Sequence, residues 1–499
     1  MTVCPDLRSL YCYNNQLTSL NVSGLSSLLN LNCMDNPDLG SITGLSDCTA
    51  LTYLNCSSCG LTSLEVNNMN NLQELWCSDN LITSLYLYNK TSLTILDASD
   101  NPSLVSLQCN HCGLVQLMVY NCTLLEDLDC TDNQLEELDV TTCPELIDLL
   151  CNNNRLTELD ISNNTKLAYL WCNQNQLTSL DLSNCADDFR SLDCRVNQIA
   201  GTLDCSRFAK LFQIACSSNQ LTQLILSTHD ELRDIWCYQN QLTSLDIDGY
   251  GALETVYCYE NQLTSLNISN CNALRTIYCS DNQLTSLDVS DLPALETLAC
   301  MTNKISSIRA SNCPNLNYVA MYYNRVKASQ MGQFVADLPM RSQDNMGDLY
   351  VMAYDDEENE MYTEGNVITV PQVNQAHAKV WEVYHVNPEN DDWEPYAGSA
   401  LERGDVNNDG KINISDVTAL INYLLNQDDS GVNVDAADCN GDTKVNITDV
   451  TTLINYLLSG TWPDKGAKAP TMTTHQSPSA HSPFELPEPV LDKPVLKRL

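Results

Sequence analysis

The sequence predicts an α/β-type solenoid that is predominantly β, built from short parallel strands and followed by a small α-helical module. A motif of the form LxxLxCxxNxLTxL recurs about every 21 residues up to about residue 325, and a fixed period of this length is typical of stacked coils. Two nearly identical acidic loops, 405–416 and 438–449, each precede a segment with helical apolar periodicity. The 43% of hydrophobic residues is enough for a buried core.

Cysteine marks the same position of most repeats. Ala98 and Met321 take that position in two further units, and the Ala98 unit is only 11 residues long. The repeating cysteines, here called the ladder cysteines, are Cys12, Cys33, Cys56, Cys77, Cys109, Cys130, Cys151, Cys172, Cys194, Cys216, Cys237, Cys258, Cys279 and Cys300.

The strand of each repeat predicts which of its residues point into the core. Because successive strand residues point to opposite sides, Leu10 and Cys12 are predicted to lie in the core. Asn15, three residues beyond the cysteine, recurs as far as Asn324. An inward asparagine there can hydrogen-bond the turn backbone of its own coil and of its neighbour.

The repeat resembles the leucine-rich repeat family, and its 21-residue unit with a cysteine in the strand is similar to the internalin J type of bacterial surface protein. The resemblance covers the solenoid, residues 1–325. It implies that the residues flanking each ladder cysteine face outward and serve recognition.

The cysteines are predicted to be reduced core residues, because an in-register parallel ladder suits disulfide geometry poorly. Two CxxC pairs, Cys56/Cys59 and Cys109/Cys112, raise zinc as an alternative. However, Cys59 and Cys112 occupy the asparagine position of the repeat, so the repeat accounts for both pairs.

The net charge of −40 argues against nucleic acids and anionic membranes as partners. No apolar run is long enough for a membrane span. The start, MTVCPDLRSL, lacks the regions of a signal peptide. We expect a secreted or cell-surface protein whose leader is absent from this sequence.

Aromatic residues flank several ladder cysteines and predict a ligand face. The candidates on adjacent coils are Trp236, Tyr238, Tyr257, Tyr259 and Tyr278. The alternative is cross-strand aromatic pairing that only supports the sheet. Interleaved acidic residues favour a neutral glycan or a basic protein as the ligand.

Residues 326–402 change character and are predicted to cap the solenoid. We expect a short helix in MGQFVADLP, a strand in GDLYVMAY, an acidic turn from Asp355 to Glu360, and a helix that runs into a strand in VPQVNQAHAKVWEVYHV. His377 and His385 lack companions at ligand spacing and are interpreted as structural.

The two acidic loops have the spacing of calcium-binding loops, in which oxygens on alternate residues surround one hard cation. We predict two Ca²⁺ sites. The ligands of the first are Asp405, Asn407, Asp409, Lys411 through its carbonyl, Asn413 and Asp416. Those of the second are Asp438, Asn440, Asp442, Lys444 through its carbonyl, Asn446 and Asp449.

Matching apolar stripes follow the loops, Val417, Leu420, Ile421, Leu424 and Leu425 in the first helix and their counterparts 33 residues later. The duplicated loop and helix over 403–461 resembles a type I dockerin. This implies calcium-dependent docking to a cohesin domain, with loop positions 10 and 11 as docking candidates: Ile414, Ser415, Ile447 and Thr448. Thr443 departs from the pattern, since position 6 is Gly410 in the first loop.

Together these features predict a non-catalytic extracellular recognition or adhesion protein that docks through its dockerin-like module. The alternative is an accessory or enzymatic component of a polysaccharide-degrading assembly, since dockerins commonly accompany glycosidases. No catalytic carboxylate pair can be placed, because acids such as Asp139 and Asp160 belong to the repeat consensus. The Pro-rich tail, 462–499, reads as disordered.

Overall fold

The computed structural model describes residues 4–226, 230–353, 364–386, 392–399, 403–407, 411–426, 432–442 and 444–462. Within these residues the fold is a predominantly β parallel solenoid of about 15 turns, with a few helices, which confirms the predicted fold class. The described residues fall into two compact units, with the boundary between Leu242 and Thr243. No described helix combines the length and apolarity that a membrane crossing needs.

The first unit contains two main parallel sheets. The six strands of the first sheet are, in order, Ser9–Tyr11, Asn30–Asn32, Tyr53–Asn55, Glu74–Trp76, Ile95–Asp97 and Gln116–Met118. The strands of the second sheet within this unit are Ser84–Tyr86, Ser106–Gln108, Asp127–Asp129, Asp148–Leu150, Tyr169–Trp171, Ser191–Asp193, Gln213–Ala215 and Asp234–Trp236. Two short pairs, Leu20–Asn21 with Ile42–Thr43 and Ala200–Asp204 with Gln220–Ile225, and a 3₁₀ turn, Leu45–Asp47, complete it.

The strands confirm the predicted alternation of core and surface. In Asn30–Asn32 the middle residue, Leu31, is fully buried while both neighbours are half-buried. Leu31 pairs with Leu10 on one side and Leu54 on the other, so the leucines form one inward row. Cys33 is fully buried behind it, whereas Cys12 in the first described coil is half-buried.

The repeated asparagine satisfies main-chain groups of adjacent coils. Asn154 Nδ2 donates to the carbonyl oxygens of Cys130 at 3.0 Å and Cys151 at 3.1 Å. Its Oδ1 accepts the N–H of Leu135 at 3.0 Å. Asn154 is 9% exposed, so without it the Leu135 N–H would be buried with no side-chain acceptor, whereas each carbonyl oxygen also accepts from a second ladder asparagine. The predicted asparagine ladder is confirmed.

All the cysteines are free thiols, and all but Cys4 and Cys12 are buried. The Cys112 thiol donates to the carbonyl oxygen of Leu87 at 2.8 Å, and the Cys59 thiol to that of Cys33 at 3.1 Å. Each therefore replaces the asparagine donor of its repeat. Burial raises the pKa of Cys112 to about 11, whereas the hydrogen bond with Cys33 lowers the pKa of Cys59.

The second unit is also built mainly from parallel strands. They are Thr255–Tyr257, Thr276–Tyr278, Thr297–Ala299, Tyr318–Ala320, Gly347–Met352 and Trp381–Val386, followed by the antiparallel strand Trp393–Pro395. Short pairs join Leu245–Asp246 to Leu266–Asn267 and Ser286–Asp288 to Ser307–Arg309. The helices are Ala328–Asp337, Val370–Ala378, Ile414–Asn426, Val434–Ala437 and Ile447–Ser459.

The elements expected in 326–402 are present, apart from the acidic turn 355–360, which lies outside the described residues. Asn366 performs the role of a ladder asparagine there. Its Nδ2 donates to the carbonyl oxygens of Met321 and Val351, at 2.8 and 3.0 Å, and its Oδ1 accepts the N–H of Val326. Glu364 accepts the N–H groups of Tyr323, Ala353 and Asn366.

Candidate functional site

The module that follows the solenoid is built twice from the same parts. Helices Ile414–Asn426 and Ile447–Ser459 each begin inside the end of an acidic loop. A small apolar core joins the two halves and consists of Val406, Val417, Leu420, Ala437, Cys439, Val450 and Leu453. Equivalent residues from both helices supply this core, so the duplication in sequence becomes a duplication in structure.

In the first loop, Asp416 ties the beginning to the end. Its Oδ1 accepts the N–H of Asn407 at 3.1 Å and its Oδ2 accepts the N–H of Asn413 at 2.8 Å. Asp416 is fully buried and Asp405 is 8% exposed. Asp409, the remaining predicted carboxylate ligand of this loop, lies outside the described residues.

The second loop repeats this arrangement at equivalent atoms. Asp449 accepts the N–H groups of Asn440 at 3.1 Å and Asn446 at 2.8 Å. Asp438 Oδ1 accepts from the N–H groups of Gly441 at 2.9 Å and Asp442 at 3.1 Å. These bonds fold the loop into a ring of oxygen-bearing side chains.

The electrostatics of the second loop fit a bound cation. Burial, together with the charges of Asp438 and Asp442, raises the pKa of Asp449. Asp449 is fully buried, and no Lys or Arg of the described residues forms an ion pair with it. A buried carboxylate beside two others is costly unless a positive charge compensates it. Carboxylate and amide oxygens are the ligands that calcium prefers.

The described residues contain no group of three or more His, Cys, Asp or Glu gathered closely enough to hold a metal by themselves. The predicted ligand sets also use the amide oxygens of asparagines and main-chain carbonyls, which such a group does not include. In the 405–416 loop, Ca²⁺ would be held by the predicted ligands, which include Asp409. In the 438–449 loop, the carboxylate ligands would be Asp438, Asp442 and Asp449.

Two of the docking candidates are fully on the surface, and two also brace the loops. Ile414 is 70% exposed and Ile447 is 68% exposed. The Ser415 hydroxyl accepts from Asn407 Nδ2 at 2.7 Å, and the Thr448 hydroxyl accepts from Asn440 Nδ2 at 2.7 Å. Ser415 and Thr448 thus orient the amide groups of predicted calcium ligands.

The predicted apolar stripe of each helix is only partly a core stripe. Val417 and Leu420 are buried, as expected, but Leu425 is 75% exposed and Ile421 is 38% exposed. The shared core of the module is small and takes only Val417 and Leu420 from this stripe. The same division holds in the second helix, where Ile454 is 38% exposed and Leu458 is 82% exposed.

The exposed members align along one side of each helix, together with Ile414 and Ile447 at the helix starts. Residues 0, 7 and 11 positions along a helix share a face. We call these two sets the aliphatic rows: Ile414, Ile421 and Leu425 in the first helix, and Ile447, Ile454 and Leu458 in the second. Sequence periodicity missed that these residues face outward, because it cannot tell which part of an apolar stripe finds a partner.

The ends of the module are joined by aromatic contacts that the sequence did not suggest. The Arg403 guanidinium lies 4.7 Å from the centroid of the Trp462 ring, and its Nε donates to the Cys439 carbonyl oxygen at 2.8 Å. Gly404, with φ +95°, lies against the same indole, where a Cβ would come within 2.5 Å of the ring.

On the solenoid, the expectation that the Trp236 side chain is exposed is wrong. Its side chain is 4% exposed, because the Arg195 guanidinium lies over the ring at 5.6 Å from the centroid. Arg195 is held in turn by Asp193, with an Nη2–Oδ2 distance of 2.9 Å. Tyr238, in the same unit, is half-buried.

The remaining candidates of the ligand face belong to the second unit. Tyr257, Tyr259 and Tyr278 are all half-buried. The rings of Tyr257 and Tyr278 pack at a centroid distance of 4.8 Å with 33° between their planes. This is the cross-strand pairing raised as the alternative to a ligand face, and it leaves part of each ring accessible.

Comparison with known families identifies the C-terminal module. Residues 403–458 match the dockerin type I domain, so the predicted type I dockerin is confirmed. Domains of this type generally bind calcium. No curated protein matches the chain.

Solved structures similar to the solenoid come from bacterial leucine-rich repeat proteins, among others. The functional domain of InlJ from Listeria monocytogenes, which includes a cysteine ladder, is 29% identical over 70% of this chain and 75% of that one, with a TM-score of 0.47. A leucine-rich repeat protein from Leptospira interrogans is 18% identical over 77% and 96%, with a TM-score of 0.44. YopM from Yersinia enterocolitica is 22% identical over 68% and 77%, with a TM-score of 0.40.

Proposed function

We propose that this protein is a non-catalytic extracellular recognition protein that attaches through its dockerin to a cohesin domain on a scaffold or cell surface. Calcium holds the docking module in shape, with two ions bound by the 405–416 and 438–449 loops. The leucine-rich solenoid then presents a surface for a protein or glycan ligand.

The aliphatic rows carry the docking part of this proposal. Leu425 and Leu458 are 75% and 82% exposed, which is unusual for leucine at equivalent positions of two helices. Burying such side chains against a partner yields roughly 25 cal/mol per Å² of apolar surface. Each aliphatic row begins inside a predicted calcium loop, at Ile414 or Ile447, so a loop that fixes the start of its helix also fixes its row, and docking would depend on calcium.

Docking is tested by binding the full chain to immobilised type I and type II cohesin domains, with calcium and with a chelator. We expect binding to at least one cohesin in calcium only. The Leu425→Asp/Leu458→Asp variant should weaken it at least a hundredfold, because a carboxylate would enter an apolar contact. Asn426→Asp/Ser459→Asp is the matched control, since it adds the same two charges about 100° around each helix and should leave binding within threefold.

Failure of every cohesin to bind in calcium would reject cohesin docking. Equal losses for the control and the double variant would reject the aliphatic rows as the contact surface. Circular dichroism of each variant in calcium establishes that the helices are retained.

We further propose that residues 326–402 cap the solenoid and that Tyr238, Tyr257, Tyr259 and Tyr278 contribute to ligand recognition. Their half-buried rings combine apolar area with hydroxyl groups, which suits both sugars and protein loops. The assay is a glycan array and a reducing-sugar release assay run on the same preparation. Binding without sugar release supports recognition, whereas release of sugars would favour the enzymatic alternative.

A further inference from the structure

The short repeat at Ala98 moves the cysteine-bearing strand from one side of the solenoid to the other. Strands Glu74–Trp76 and Ile95–Asp97, which precede Cys77 and Ala98, pair within the first sheet. The next such strand, Ser106–Gln108, precedes Cys109 but pairs with Ser84–Tyr86 and Asp127–Asp129 in the second sheet. A coil passes once through each sheet, so the 11-residue step from Ala98 to Cys109 equals half a coil.

The coil tolerates this step because its two halves are chemically alike. Asn101 lies three residues after Ala98, at the position of a ladder asparagine, and also eight residues before Cys109. It therefore serves the half-coil before the step and the half-coil after it. Its Nδ2 donates to the carbonyl oxygens of Cys77 and Ala98, at 3.0 and 2.9 Å. Cys122 lies 21 residues after Asn101, at the equivalent position of the next coil. Its thiol donates to the Ala98 carbonyl oxygen at 3.2 Å. Main-chain groups on both sides of the step therefore keep their partners.

The consequence is a separate outward surface on the first sheet, formed by its first four strands, which we call the N-terminal face. Along one row of this face, paired in register, lie Tyr11, Asn32, Asn55 and Trp76. Three strand spacings of ~4.8 Å place the two aromatic residues about 14 Å apart. Two amide side chains lie between them, so an aromatic platform stands at each end of a polar strip.

Hydrogen bonds on this face leave groups available for a ligand. Asn32 Oδ1 accepts the N–H of Met34 at 3.2 Å, and its Nδ2 donates to no group among the described residues. Asn55 Nδ2 lies 3.5 Å from the Tyr53 hydroxyl and 3.6 Å from the Met34 sulfur, a distance near the limit for a hydrogen bond and a weak acceptor. Tyr11 is 60% exposed.

The N-terminal face is nearly free of charge, although the protein carries −40. Its strands contain a single carboxylate, Glu74, and that group accepts the Trp76 indole N–H at 3.1 Å. On the second sheet of the same unit, by contrast, Asp127 and Asp148 pair directly in register. A cationic partner would be drawn to the second sheet, whereas the N-terminal face matches an uncharged one.

We propose that the N-terminal face is a binding surface for a neutral oligosaccharide or polysaccharide chain, distinct from the ligand face around Tyr257. The apolar C–H faces of sugar rings would stack on Tyr11 and Trp76, and their hydroxyls would bond the intervening amides. A strip of this length accommodates several sugar units in a line.

The test is affinity electrophoresis of the full chain in gels containing galactomannan or xyloglucan, with polygalacturonate as the charged comparison. We expect retardation by at least one uncharged polysaccharide and none by polygalacturonate. Tyr11→Ala/Trp76→Ala should weaken retardation at least tenfold. The matched control is Tyr88→Ala, which removes a ring that is 50% exposed and follows the Ser84–Tyr86 strand of the second sheet.

Equal effects of Tyr88→Ala and the double variant would overturn the assignment. So would retardation by polygalacturonate alone, the absence of retardation by both uncharged polymers, or loss of a protein ligand in the double variant without any glycan binding. Because Trp76 is half-buried, Tyr11→Ala alone serves as the second variant. It should weaken retardation at least threefold with unchanged thermal unfolding, and no change would count against the proposal.

Discussion

The indole of Trp462 stacks on the phenol ring of Tyr456 at a centroid distance of 3.9 Å, with only 9° between the two planes. Arg403, at the other end of the dockerin, contributes its guanidinium to the same indole. The three side chains bring the first and last described residues of the module together. An aromatic stack and a cation–π contact thus close a module whose apolar core is small.

Replacing Trp462 with alanine should destabilise the dockerin by about 1–3 kcal/mol, since it removes both the stacking and the cation–π contact. Thermal unfolding in calcium, followed by circular dichroism of the helices, measures the change. Trp462→Phe retains a ring for stacking and should lose less than half as much. Identical losses in the two variants would mean that a phenyl ring cannot replace the indole in the stack, and would contradict the prediction.

Glycine at the fourth position of the second calcium loop should be required for its affinity. Gly441 has φ +71°, and a Cβ added to it would meet no atom within 4 Å, so the effect of Gly441→Ala comes from the backbone alone. A left-handed alanine costs about 1–2 kcal/mol, which corresponds to roughly a tenfold weaker site. Calorimetric titration should show the weakening at 438–449 only.

The same titration addresses the difference at loop position 6, where Gly410 and Thr443 both lie outside the described residues. We predict that the 405–416 loop fills first and that Thr443→Gly tightens only the second site. The left-handed Gly441 already supplies one turn in that loop, so the gain should be smaller than the loss from Gly441→Ala. If the calcium affinities of the two loops are equal in the unchanged protein, in Gly441→Ala and in Thr443→Gly, both predictions are contradicted.

Much of this fold follows from the sequence because the repeat places the same chemistry at the same depth each time. Leucine, cysteine and asparagine positions predict the inward rows, and the loops predict the dockerin. The burial of Trp236 could not be predicted, because it depends on Arg195, which lies 41 residues earlier and reaches it only through the stacking of coils. The repeat at Ala98 is visibly short in the sequence. Only the strand pairing shows that the cysteine-bearing strands move to the second sheet there.

Removal of a ladder asparagine should destabilise the solenoid more than a typical core substitution. Asn154→Ala leaves the Leu135 N–H without its side-chain acceptor and removes one of the two asparagine donors to each of the Cys130 and Cys151 carbonyl oxygens. Each buried unsatisfied group costs about 1–3 kcal/mol. Asn154→Cys should be milder, because the Cys59 and Cys112 thiols donate from the same repeat position. Chemical denaturation measures both, and a larger loss for the cysteine variant would contradict the equivalence.

Native alkylation should modify Cys4 first and Cys12 next, and should leave the buried thiols unmodified until the protein unfolds. Burial opposes the reactive thiolate, since it raises the pKa of Cys237 and Cys279 to about 12. Mass spectrometry of the alkylated peptides, with and without denaturant, gives the order. Rapid labelling of Cys237 in the folded protein, or native disulfides among the ladder cysteines, would contradict the structure.

Glu364 should make the stability of the second unit depend on pH. Burial raises the pKa of Glu364 from its ordinary value of 4.5 to about 7. The folded state therefore holds more protons than the unfolded state between these values, and this contribution to stability falls as pH rises from about 4.5 to 7. Above that range it is constant.

Unfolding free energies measured from pH 4.5 to 8 should decline less steeply in Glu364→Gln than in the unchanged protein. Asp344→Asn, which removes an exposed carboxylate of the second unit, is the control and should keep the original slope. Parallel curves for the unchanged protein and Glu364→Gln would show that Glu364 does not titrate in this window.

The antiparallel strand Trp393–Pro395 has a consequence for self-association. The other described strand pairs of the second unit's large sheet are parallel, so an uncovered edge of Trp381–Val386 would be a template for a strand of another molecule. Trp393–Pro395 pairs with Trp381–Val386 in the reverse direction, and Pro395 has no N–H to donate to an incoming strand. Truncation of the chain before Trp393 should therefore expose the edge of the strand Trp381–Val386. The truncated protein should polymerise through this edge.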